Sequence, residues 1–142
     1  MIRARVYVLP AWSGQLEIED VVHESQHIVR LSGELDIASA PGLGEALLQL
    51  CVEDTHAITV DLSNLEFMDS TGLYAIISAS GLCQKEGYEF SLIQGPAPIR
   101  RLFEVTGLID LLPFQPVRAA GGDSTLRPAM AIGENRAQRR PI

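Results

Sequence analysis

The chain has 142 residues, enough for one compact domain with a little left over, and its 46% hydrophobic content is enough to bury a core. The net charge of −7 is unevenly spread: residues 16–114 hold four Lys plus Arg against sixteen Asp plus Glu, a net −12, while Arg3 and Arg5 precede that stretch and Arg118, Arg127, Arg136, Arg139 and Arg140 follow it. An acidic body repels a phosphate backbone and gains no counterion release, which argues against nucleic acid and for a protein partner; no apolar run approaches the ~20 residues that span a bilayer, so no membrane insertion is expected.

Taken in chain order, residues 1–14 read as a basic N-terminal extension. They show no periodic apolar face, lack the apolar segment of a secretory signal, and are expected to contribute little to folding. Leu16, Ile18, Val21 and Val22 form a strand-like stretch, Glu24, Ser25 and Gln26 break it, and Ile28, Val29 and Leu31 resume it. That pattern predicts a hairpin. A first helix follows, with Ser39 as a possible cap, Pro41 in its first turn, and Leu43, Ala46, Leu47 and Leu50 at helical spacing, weakened by Gly42 and Gly44. The β-branched run Ala57, Ile58, Thr59, Val60, Leu62 predicts a central strand covered on both faces. A second helix starts near Ser70, carries Leu73, Ile76 and Ile77, and stops at Gly87 after Lys85. Phe90, Leu92 and Ile93 predict a further strand, Pro96 and Pro98 open a third helix closed by Gly107, and residues 108–114 return apolar to the core. Residues 115–142 read as a flexible basic tail. Strands alternating with helices predict an α/β fold with a mixed sheet of about four to five strands flanked by helices. Cys51 and Cys83 lie in apolar stretches without CxxC spacing and read as small core residues of a reducing compartment, so the cytoplasm is expected.

No motif of catalysis survives inspection. His23, Glu24, Ser25, Gln26 and His27 spell HExxH, but that zinc motif needs a helix to bring both imidazoles to one face, and here it falls in a predicted hairpin turn. No metal is expected there, and His56, beside a strand, reads as a surface residue. Asp69, Ser70, Thr71 and Gly72 depart by one residue from the aspartic-protease triplet, and no second copy supplies the paired carboxylate. There is no G-x-S-x-G, no third glycine after Gly42 and Gly44 for a dinucleotide loop, and no GxxxxGK[ST]. The chain is expected to be no enzyme and to hold no cofactor.

What remains is Ser70, at the junction of an apolar strand and an amphipathic helix. Unpaired N–H groups and the helix dipole favour an anion at such a point, so a phosphate would be accommodated there. On physics alone, an ordinary cap made by Asp69, Ser70 or Thr71 is the favoured reading of the residue.

A resemblance adds to this. LSGELDIASAPGL, then ITVDLSNLEFMDSTGLYAII, then IRRLFEVTGL resemble, in order and spacing, the STAS domain of bacterial anti-sigma factor antagonists. The similarity covers residues 15–114, which sets the STAS domain between the two ends, and its most specific part is FMDSTGL from Phe67 to Leu73. The resemblance implies a mixed sheet flanked by helices and phosphorylation of Ser70. It also implies binding of an anti-sigma factor serine kinase by the unphosphorylated form, which frees a sigma factor, and resetting by a serine phosphatase. The partner-facing set it suggests is Asp69, Ser70, Thr71, Gly72, Tyr74 and Ile77; for Tyr74 and Ile77 partly buried packing is the alternative. The other function the same fold serves is a STAS docking subunit, not phosphorylated, of a transporter or lipid-trafficking assembly.

Overall fold

The computed structural model describes residues 2–51 and 55–116. In chain order the elements are β1 Ile2–Ala11, β2 Gly14–His23, β3 Gln26–Leu35, α1 Ala40–Cys51, β4 Ala57–Met68, α2 Ser70–Glu86, β5 Glu89–Ile93, α3 Ala97–Val105 and a 3-10 turn at Leu108–Asp110. The five strands form one sheet in sequence order. The first three are joined by two-residue turns and run antiparallel, while β3, β4 and β5 are parallel because α1 and α2 carry the chain back between them. The α/β class and the mixed sheet expected from the alternation are therefore present.

One face of the sheet is apolar. Leu16 and Ile18 of β2, Val29 and Leu31 of β3, and Ile58, Val60 and Leu62 of β4 pack with Leu43, Leu47 and Leu50 of α1 and with Leu73, Ile76, Ala79 and Cys83 of α2 in a single core. The alternate residues look the other way, where Arg30 lies 3.7 Å from Glu19 and 3.6 Å from Asp61. β4 is thus paired on both sides, but between Ala57 and Leu62 only the alternate residues Ile58, Val60 and Leu62 are buried, so the expectation of two covered faces is corrected. Gly87 ends α2 at φ +84°, a conformation that glycine adopts without a Cβ clash.

The hairpin of the sequence reading is β2–β3, turning at Glu24 and Ser25, both at positive φ, with His23 paired to Gln26. The HExxH letters therefore lie across a turn. His23 is exposed, whereas His27 is buried, with Nδ1 2.9 Å from Asp20 Oδ1 and Nε2 3.2 Å from Thr55 Oγ1. Thr55 donates to Leu50 O at 2.7 Å, and Arg5 Nη2 donates to Asp20 Oδ2 at 3.0 Å. This buried polar chain ties β1, β2, β3 and the end of α1 together. Losing one member leaves the others desolvated without a mate, which costs more than the bond itself contributed. His27→Ala is expected to lower stability by about 2 to 4 kcal/mol. Calorimetry should then show a melting midpoint lower by about 10 °C or more, and an unchanged midpoint would show that the chain is energetically idle.

The N-terminal residues depart from expectation. Residues 2–11 are not an extension but a ten-residue strand of the same sheet, in register with β2 from Ile2↔His23 to Ala11↔Gly14. Tyr7 and Leu9 pack against the core, and Gly42 of α1 makes room for Leu9, whose Cδ1 would stand 2.6 Å from a Cβ there. The strand escaped the sequence reading because Val6 and Val8 on one side and Tyr7 and Leu9 on the other leave no polar-apolar contrast. Gln115, assigned to the tail, bonds through its N–H to Leu92 O at 2.7 Å, so the folded unit runs a little past residue 114. The rest of the expected tail, from residue 117, lies outside the described residues.

Candidate functional site

α2 begins at Ser70 because Asp69 caps it. Asp69 has extended backbone dihedrals, its Oδ1 accepts from Gly72 N–H at 3.0 Å, and its carbonyl accepts from Leu73 N–H at 3.0 Å. The other carboxylate oxygen, Oδ2, accepts from Ile37 N–H at 3.2 Å, so one side chain fixes both the helix start and the β3–α1 connection. Gly72 is buried, and a Cβ on it would stand 2.5 Å from Leu35 O; α2 can approach the end of β3 this closely only without a side chain there. Ser70 stands exposed at the first helical position, and Thr71 is half-buried beside it.

The β3–α1 connection is held as firmly. The Asp36 side chain is buried; its Oδ1 accepts from the N–H groups of Ala38 at 2.9 Å and Ser39 at 3.2 Å, and its Oδ2 accepts from Trp12 N–H at 2.8 Å. Ser39 Oγ accepts from Asp36 N–H at 3.0 Å and donates to Glu34 O at 2.8 Å. The serine therefore braces the loop ahead of α1 instead of capping the helix with its hydroxyl. Burial pushes the Asp36 carboxyl up, but the hydrogen bonds from Trp12, Ala38 and Ser39 outweigh it and hold the pKa below the ordinary value. A depressed folded pKa means stability that is present above the unfolded value, ~3.9, and lost as pH falls through the folded one. Trp12, the single tryptophan, reports on this contact. Its fluorescence is expected to change on acidification below about pH 4, ahead of or together with unfolding, and Asp36→Asn should shift that acid transition while lowering stability at neutral pH by about 1 to 3 kcal/mol. Identical acid titrations for parent and variant would refute this role.

These anchors leave apolar side chains outside. Trp12 is 81% exposed, Ile37 60% and Phe67 49%, and with Glu34, Asp36 and Asp69 they line a depression of about 530 Å³. A second depression of about 500 Å³ is lined by Pro41, Ser70, Thr71, Tyr74 and Ser78, with Tyr74 69% exposed. Asp69 and Ser70, adjacent in the chain, stand one in each. Of the six residues expected to face a partner, Ser70, Tyr74 and the rim of Thr71 offer surface. Asp69 acts as the cap, Gly72 is a spacer beneath the surface, and Ile77 is half-buried against the core. The sequence alone does not single out Trp12, Ile37 and Phe67, which come from the β1–β2 turn, the β3–α1 connection and the end of β4 and meet only once the sheet is assembled.

A five-stranded mixed sheet with two helices packed on one face and a capped, serine-bearing helix start at the end of β4 defines a class, the STAS-type α/β domain. The family model described as "STAS domain" matches residues 17–120. An anti-sigma-B factor antagonist of Staphylococcus epidermidis is 35% identical over 97 residues, which covers 68% of this chain and 90% of that protein. The crystal structure of an anti-sigma factor antagonist from Mycobacterium paratuberculosis superposes with a TM-score of 0.60 at 27% identity, over 82% of this chain and 87% of its own. The anti-sigma factor antagonist SpoIIAA in its unphosphorylated form shares the fold, with a TM-score of 0.61 at 20% identity over 86% of this chain and 96% of its own. The chain belongs to the STAS-domain proteins of the bacterial anti-sigma factor antagonist family. The family match begins at residue 17, inside β2, so β1 lies outside it.

Proposed function

We propose that the chain is an anti-sigma factor antagonist whose unphosphorylated form binds an anti-sigma factor serine kinase, releasing a sigma factor, and that phosphorylation of Ser70 ends the binding until a serine phosphatase resets it. The observation that carries this reading is the position of Ser70: exposed, at the first residue of a capped helix, in a depression it shares with Tyr74, and next in the chain to Asp69, which lines the depression of Trp12, Ile37 and Phe67. Aromatic and large aliphatic side chains around a polar centre are the composition of a protein interface. Glu34, Asp36 and Asp69 add negative charge to the same area, which favours a partner that is basic there.

The switch is electrostatic. Phosphorylation adds about −1.5 to −2 charge at neutral pH, and the start of α2 holds it in the free protein through first-turn N–H groups and the helix dipole. Against a desolvated partner surface and beside Asp69 the same charge is repelled or left unpaired, so affinity falls without refolding. The protein needs no reaction of its own for this; it is the substrate of its kinase. Incubating the chain with ATP and the serine kinase it binds, followed by mass measurement of Ser70-containing peptides, tests the proposal. Binding without modification of Ser70 would leave the docking-module reading in its place.

A further inference from the structure

The two edges of the sheet are finished differently. At β5 the edge is occupied: Leu92 N–H bonds Pro113 O at 3.0 Å, Gln115 N–H bonds Leu92 O at 2.7 Å, and Leu92 forms a parallel bridge with Phe114. At the other edge β1 runs from Ile2 to Ala11, and among the described residues its ladder is with β2 alone. A long strand edge with unpaired main-chain groups is a template for another strand.

The turn between β1 and β2 has two residues and closes on the pair Ala11↔Gly14. Hydrogen-bonded pairs alternate along such a ladder. The odd residues of β1 therefore direct their main-chain groups to β2, and Ile2, Ala4, Val6, Val8 and Pro10 direct theirs to the open edge. Pro10 fits this reading, since its missing N–H falls on the side without a mate. The side chains of these even residues share the outward face, where Ile2 is 66% exposed and Val6 and Val8 are each 56% exposed.

We infer that β1 is a self-association strand: two copies of this chain pair β1 with β1, antiparallel about a two-fold axis at Val6, joining their sheets into one. Directly opposed residues share a face, so the self-pairing registers can be compared by what they bring together. Centring on Val6 sets Val6 opposite Val6, Ala4 opposite Val8 and Ile2 opposite Pro10 on the apolar face, with Arg5 opposite Tyr7 and Arg3 opposite Leu9 behind. It allows about eight main-chain hydrogen bonds. Centring on Ala4 sets Arg3 against Arg5, and centring on Arg5 sets two guanidinium groups face to face. Centring on Tyr7 leaves Ile2 beyond the ladder, opposite the Trp12 turn.

Charge limits where two copies can meet: residues 2–15 carry Arg3 and Arg5 and no acid, whereas residues 16–114 carry a net −12, so the β1 edge is where two such bodies repel each other least. Arg5 is already set against Asp20.

Sedimentation velocity of the full chain from about 1 to 100 µM, without kinase or ATP, tests the inference independently of Ser70. The parent is expected to show a monomer–dimer equilibrium in that range. Val6→Pro removes an outward N–H, and Val6→Lys places two ammonium groups across the axis at a position exposed in the monomer. Both should weaken the dimer about tenfold or more, with Val6→Lys retaining the parent's circular dichroism melt. Leu48→Lys, at an exposed site on α1, should leave the dimer intact. A parent that stays monomeric throughout, Val6→Lys dimerising as the parent does, or Leu48→Lys disrupting the dimer equally, would overturn the assignment.

Discussion

Ser70→Ala is expected to keep its fold and its kinase and to escape phosphorylation. The hydroxyl is exposed and the helix is capped by Asp69, which accepts the Gly72 N–H, so removing the serine oxygen leaves the cap in place and costs well under the ~1 kcal/mol of a lost cap. Phosphorylated parent, by contrast, should bind the kinase about a hundredfold more weakly, which corresponds to about 3 kcal/mol, the scale of burying one uncompensated charge. Ser70→Asp should fall between them, because one carboxylate carries about −1 and fewer acceptor oxygens than a phosphate. Thr71→Ala should be modified as the parent is, since Thr71 is half-buried beside the exposed serine. Kinase affinity by calorimetry and modification by mass spectrometry, on all three variants, check the set. Full phosphorylation of Ser70→Ala, or equal affinity of phosphorylated and unphosphorylated parent, would remove the switch.

Deleting residues 1–11 should destabilise the domain by about 3 to 5 kcal/mol or more, a large share of the ~5 to 15 that holds a domain folded. The deletion removes Tyr7 and Leu9 from the core and uncovers the first turn of α1 at Gly42. It takes the Arg5 guanidinium from Asp20, which is buried, and exposes the whole β2 edge to solvent. Chemical denaturation of the shortened chain reads the loss directly. A midpoint equal to the parent's would mean that β1 lies on the domain without supporting it.

The two predictions differ in how far the sequence alone reaches them. The DSTG segment is legible because its signals are local: a cap residue, the hydroxyl after it and an apolar row at helical spacing all fall within one turn of Ser70. The β2–β3 hairpin, α1, α2, β5 and α3 were legible for the same reason, each marked by a period and by its own stop, such as Gly87 or Gly107. Gly72 shows the limit. The residue is plain in the motif, yet only the closeness of Leu35 O makes it a spacer and not a contact.

Tertiary structure decided the rest, because the information is shared between segments far apart in the chain. β1 has apolar side chains on both faces and so carries no periodic contrast; pairing with β2 and the gap at Gly42 make it a strand. His27 is one half of HExxH in the sequence and a buried partner of Asp20 and Thr55 in the fold, since a turn at Glu24 and Ser25 sends the two histidines to different surroundings. Trp12, Ile37 and Phe67 lie 25 and 30 positions apart, in a turn, a connection and the end of a strand. They form a surface around Asp69 only because the ends of β1, β3 and β4 meet at one end of the sheet, and local periodicity holds no record of strand order.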